Sequence, residues 1–117
     1  MRKTLYSLRL INPTKHYLYF MIRIVKMTFD PTKVDEFLNN FNQVKEKIRA
    51  FEGVEHLELL NDKNKSNIYF TYSIWKDETY LEKYRHSDLF KGVWAQTKVL
   101  FNAKPLAWSV DKIESLK

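Results

Sequence analysis

The chain has 117 residues, 44% of them hydrophobic, which fits one globular domain with a single core and excludes an intrinsically disordered chain. It contains no cysteine, so disulfides and thiolate metal sites are excluded and a cytoplasmic location is expected; no apolar run approaches the ~20 residues that a membrane helix needs. The net charge of +6 is concentrated at one end: four of the 20 basic side chains and none of the 14 acidic ones fall in residues 1–20, so the rest is nearly balanced and neither a nucleic-acid nor a membrane partner is expected.

Residues 1–20, MRKTLYSLRLINPTKHYLYF, start basic, but Arg9, Asn12, Pro13 and Lys15 interrupt any secretory apolar segment. Three readings are open for them: a mispredicted start with Met21 as the true first residue, a loose tail, or an added strand through the strand formers Tyr17, Leu18, Tyr19 and Phe20. The first two are favoured, because the fold that follows is complete without this segment. A single domain is expected over 21–113, with 114–117 as a tail.

IRIVKMTF (22–29) reads as a strand, being β-branched and apolar. Asp30 and Pro31 then suit a helix start, with Thr32 and Asp35 as a competing capping box. Val34, Phe37, Leu38, Phe41, Val44 and Ile48 recur at helical spacing, and Gly53 is the natural stop. VEHLELL (54–60) is a second strand, NDKNKSN a polar turn, and IYFTYSIW (68–75) a third strand that is apolar or aromatic on both faces. Asp77 can cap a short helix reaching about Arg85, with Tyr80, Leu81 and Tyr84 on one side. Ser87 can cap another, reaching about Phe101, with Phe90, Val93, Trp94, Thr97, Leu100 and Phe101 as its stripe. Gly92 lies inside that helix and suggests a close backbone approach. PLAWSV (105–110) is a last strand, with Pro105 at its start or on an edge.

The order β-α-β-β-α-β, with the second helical region broken in two, is the split βαβ arrangement. The expected fold is therefore α+β: a ferredoxin-like, four-stranded antiparallel sheet with helices on one face. The bare face should alternate with polar residues. Strand 3 instead offers Ile68, Phe70, Tyr72 and Ile74 on one side and Tyr69, Thr71, Ser73 and Trp75 on the other. One layer of helices cannot bury both sets, so a homodimer packed sheet against sheet is expected. If the more polar set faces that partner, Trp75 reaches the helix side only where the strand bulges or ends.

VKMTFDPTKVDEFLNNFNQVKEKIRAFEGVEHLELL, the strand ending YSIW, and YRHSDLFKGVW resemble the antibiotic biosynthesis monooxygenase domain, a dimeric α+β barrel. The resemblance runs from about Met21 to Ile113. It implies a cofactor-independent monooxygenase-like protein acting on an aromatic or quinone-like small molecule; the alternative is a non-catalytic binding or structural dimer on the same fold. Where the family often carries a helical histidine, in a His-x-x-Ser pattern, this chain has Tyr84. His86 lies about 200° further round a helix. The counterpart of the haem-ligating histidine of one branch is Trp94, which cannot bind iron, and strand 1 lacks that branch's asparagine, so haem degradation is disfavoured and no cofactor or metal is expected. Of the histidines, His16 lies in the uncertain N-terminal segment and His56 in a mixed strand pattern. Trp75, Phe90 and Trp94 are the expected substrate-binding walls, and Tyr84 or His86 the expected catalytic proton acceptor.

Overall fold

A computed structural model describes residues 20–117; the readings of the N-terminal segment and of His16 lie outside the described residues, which begin at Phe20. Four strands, β1 (Met21–Thr28), β2 (Val54–Asn61), β3 (Ile68–Trp75) and β4 (Leu106–Asp111), form one antiparallel sheet in the order β2-β3-β1-β4. Three helices, α1 (Val34–Arg49), α2 (Glu78–Arg85) and α3 (Asp88–Lys98), cover one face. This is the ferredoxin-like α+β arrangement that the element order predicts. No helix among the described residues is long and apolar enough to cross a membrane.

Local chemistry sets the helix starts. The Asp30 carboxylate accepts the Thr32 amide and hydroxyl ahead of a 3₁₀ turn at Pro31–Lys33, so Asp30 rather than the Thr32 capping box opens this region. Asp77 accepts from the Thr79 amide and hydroxyl at α2, and Ser87 Oγ accepts the Phe90 amide at 3.1 Å at α3. The stop of α3 falls at Lys98, short of Phe101. The chain there is recruited to the end of β1: Asp30 N–H donates to Leu100 O, Asn102 N–H donates to Thr28 O, and Phe101 bridges Phe29. Extended pairing and a further helical turn are incompatible, and pairing wins because it satisfies backbone groups at the end of β1, beyond its last pair with β4.

The register sorts the sheet into rows. On the helix side these run Val54–Trp75–Met21–Asp111, then Leu57–Ser73–Arg23–Ser109, then Leu59–Thr71–Val25–Ala107, then Asn61–Tyr69–Met27. A bulge in β2 between Val54 and His56 keeps both ends of that strand in phase, and Arg49 of α1 donates to the Val54 carbonyl beside it at 3.0 Å. The more polar parity of β3 therefore faces the helices without any bulge in β3 itself, and Trp75 is 2% exposed beneath them. The open side carries Ile24, Phe70, Tyr72 and Ile74, together with Leu106, Trp108 and Val110, which are 46%, 45% and 40% exposed.

The two glycines have opposite roles. Gly53 has φ +91°, and a Cβ there would lie 2.3 Å from Tyr80 Cβ. Gly92 is exposed, and among the described residues nothing lies within 4 Å of where its Cβ would be, so it marks no close approach between them. Gly53→Ala is expected to cost about 2–3 kcal/mol, and Gly92→Ala to add about 1 kcal/mol through helix propensity. Urea midpoints that move in opposite directions check the pair.

Candidate functional site

The interior splits into two apolar clusters. One gathers Met21, Ile48, Val54, Trp75, Leu81 and Tyr84; the other Met27, Phe29, Phe37, Tyr69 and Leu100. Between them the helix-side rows of the sheet carry Ser73, Arg23, Thr71 and Val25, which are too short or too polar to fill the space beneath the helices. A cavity of about 360 Å³ results, at the lower end of the range for small-molecule sites.

Thr71 and Ser73 line its floor, with Leu57 and Val25 beside them. Ser73 is buried and bonded in both senses: its Oγ accepts the Trp75 indole N–H at 2.9 Å and donates to the Arg23 carbonyl at 3.4 Å. That indole bond explains how a tryptophan settles beside a small hydroxyl row. From Trp75 the aromatic wall continues to Tyr84 (5.4 Å between centroids), then edge-on to Phe90 (5.1 Å), then to Trp94, which stacks on Phe90 at 5.9 Å and 9°. The helix cap between α2 and α3 fixes this run, because the Ser87 hydroxyl also donates to the Tyr84 carbonyl at 2.6 Å. Thr97 Oγ1 donates to the Val93 carbonyl at 2.6 Å, so this lining hydroxyl is turned back into its own helix.

Trp75, Tyr84, Phe90 and Trp94 thus converge on one cavity, and His86 does not. His86 is exposed, with Nδ1 2.8 Å from the Glu82 carbonyl. A carbonyl can only accept, so Nδ1 carries the proton. His56 lies on the open side of the sheet, 2.7 Å from Glu58 Oε2. Among the described residues no three His, Asp or Glu side chains come together as a metal site.

Sequence reasoning missed the charged members of the lining, Arg23 and Arg85. Arg23 was detectable, since its parity is that of Met21, Val25, Met27 and Phe29, the core-facing set of β1. Its guanidinium donates to Ser109 Oγ on β4 at 2.9 Å. Desolvation, and then repulsion by Arg85, hold its pKa below the ordinary arginine value against the opposing pull of Glu82 and Glu78.

A match to the antibiotic biosynthesis monooxygenase family model covers residues 20–96, well over half of the sequence. The chain belongs to that family. Among solved structures, a conserved protein from Methanosarcina mazei Go1 superposes with a TM-score of 0.79 at 22% identity, covering 83% of this chain and 96% of that one. A putative antibiotic biosynthesis monooxygenase from Caulobacter crescentus CB15 gives 0.76 at 18% identity, over 84% and 93% of the two chains. A similarly described protein from Nitrosomonas europaea gives 0.76 at 10% identity, over 80% and 90%. At these identities the likeness is one of fold. Comparison with curated proteins finds no match.

Within this family member, burial pushes the Tyr84 phenol up to about 12, so it holds its proton at neutral pH and is able to donate a hydrogen bond. A folded-state value above the unfolded one favours the folded state while the phenol is neutral; that advantage is full below pH ~10 and fades as pH rises towards 12. Between those limits the wild type is expected to lose about 2–3 kcal/mol more stability than Tyr84→Phe. Urea unfolding of both proteins across that range measures the difference.

Proposed function

We propose that the protein binds a planar aromatic or quinone-like small molecule in the cavity between sheet and helices and oxygenates it with dioxygen, without a bound cofactor. The observation that carries this reading is the aromatic wall from Trp75 through Tyr84 and Phe90 to Trp94 around an unfilled, polar-floored space, in a chain of this family.

In such a reaction an ionised, electron-rich ring carbon passes electrons to dioxygen. One oxygen atom becomes the carbonyl oxygen on that carbon. The other leaves as water with the two hydrogens that the carbon loses. The protein contributes a dry aromatic enclosure, the Tyr84 hydrogen bond to the anionic oxygen, and positioning by Trp75, Phe90 and Trp94. The described residues of the lining include no histidine, aspartate or glutamate, and Tyr84 stays protonated. A substrate acidic enough to ionise without a strong base suits these residues. His86, outside the lining, is left at most a solvent-side proton relay. The same lack of a base among the described residues favours a second reading, in which the cavity binds such a molecule and does no chemistry.

Oxygen uptake with anthrone and naphthohydroquinones separates the two. Saturable uptake is expected, with kcat lowered about a hundredfold in Tyr84→Phe and changed less than about twofold in His86→Ala. Tight binding with no uptake establishes the binder instead.

We further propose that a second copy of the chain covers the open side of the sheet. Ile24, Tyr72 and Trp108 form a continuous row across three of its strands, in a position where a solvated sheet carries polar side chains. Sedimentation equilibrium at micromolar concentration is expected to show a dimer for the wild type and a monomer for Trp108→Glu. A wild-type monomer overturns this assembly.

A further inference from the structure

The cavity that walls an aromatic body also has a charged end, and its charge has one sign. Among the described lining residues the only ionised side chains are Arg23 and Arg85. Arg23 projects from the middle of the sheet, half-buried between Met21 and Val25, and of its five N–H donors the described residues engage one nitrogen, at Ser109 Oγ. It makes no ion pair among the described residues, and residues 1–19 contain no aspartate or glutamate that could supply one. Arg85 approaches from the end of α2 and pairs on its outer side with Glu82 at 3.0 Å. Ala107 and Ser109, on the helix side of β4, are exposed, so the helices leave this end of the cavity open to solvent.

A guanidinium with spare donors, half-buried, repelled by a second guanidinium and attracted by the Glu82 and Glu78 carboxylates without an ion pair to either, keeps hydrogen-bonding capacity for one more anion. We propose that Arg23, Ser109 and Arg85 form an anion subsite, so that the ligand is an aromatic acid: a ring system bearing a carboxylate or an ionised ring hydroxyl at its β4 end. This rests on the aromatic-cavity reading above and names the substrate class within it. The aromatic body lies along Trp75, Tyr84 and Phe90, and the anionic oxygen meets the two arginines. With an ionised hydroxyl, the same contacts favour the anion that oxygenation requires; with a carboxylate, they fix orientation alone.

Binding of matched ligand pairs, followed by tryptophan fluorescence, tests the subsite. One pair is 2-naphthoate with 2-naphthamide. The other is 2-hydroxy-1,4-naphthoquinone, ionised at neutral pH, with its neutral 2-methoxy ether. At least one anion is expected to bind about tenfold or more tighter than its neutral counterpart. Preference in only the first pair assigns the carboxylate, and in only the second the ionised hydroxyl. Arg23→Met should abolish the preference while neutral ligands keep their affinity within about threefold. Arg85→Gln, an exposed change that leaves the core intact, should reduce it severalfold, and Arg23→Lys should restore part of it. Equal affinities within both pairs overturn the subsite and leave the aromatic cavity standing, as does a preference that survives both Arg23→Met and Arg85→Gln. Failure of all four ligands to bind overturns the cavity reading and the subsite together.

Discussion

Everything in this molecule follows from which way β3 faces. Side chains alternate along a strand, so one choice of parity commits all eight residues from Ile68 to Trp75. The observed choice places Thr71 and Ser73 under the helices, between the large rings of Tyr69 and Trp75. The opposite choice would put Ile68, Phe70, Tyr72 and Ile74 there, with bulky side chains in every row and no short residues to leave a space. What holds the observed parity is a pair of anchors at its ends. Trp75 sits in the cluster with Tyr84 and Leu81, its indole satisfied by Ser73. Tyr69 packs edge-on to Phe29, itself stacked on Phe37 at 4.1 Å. Both anchors are aromatic, large and nearly dry, and each contributes more burial than the small residues between them forgo.

The same choice sends the greasier half of β3 outward. Its rows continue through Ile24 on β1 to Trp108 on β4, while β2 closes the far edge with His56 and Glu58. Hollow on the helix side and apolar on the other, the sheet is the reverse of one that packs its core under helices and offers a polar face to water. Both departures are consequences of one register. A mutation that shifted β3 by a single residue would fill the cavity and expose the floor together.

Much of this was legible in the sequence, and the reasons are local. Asp77 and Ser87 mark their helices because a short acceptor before an apolar stripe satisfies free amides, and both do so here. Gly53 marks a turn because the backbone there takes a positive φ. The two parity sets of β3 were readable too, but not their direction. Both are rich in strand-forming apolar side chains, and the deciding feature, an indole bonded to a hydroxyl two residues back, appears only once the strand is built. Gly92 misled for a related reason: an exposed helical glycine and one under close approach look alike in a sequence. The site's aromatic residues stood out by type. Arg23 did not, although one arginine in the core-facing parity of a strand is the kind of local conflict that marks a functional position.

Arg23 also shows why the hollow persists in the middle rather than closing. Its partners across the sheet are Ser73 and Ser109, two hydroxyls in the row that joins β3 to β4 through β1. A guanidinium cannot be packed over by apolar side chains without losing its hydration, so the helices above it must leave water or a ligand within reach. The two aromatic clusters on either side are each internally satisfied and gain nothing by spreading into that row. The cavity is thus fixed by a charge that resists burial and by walls that are already complete. It is the arrangement in which an aromatic ring bearing an anionic oxygen would meet the rings with its body and the arginines with its charge.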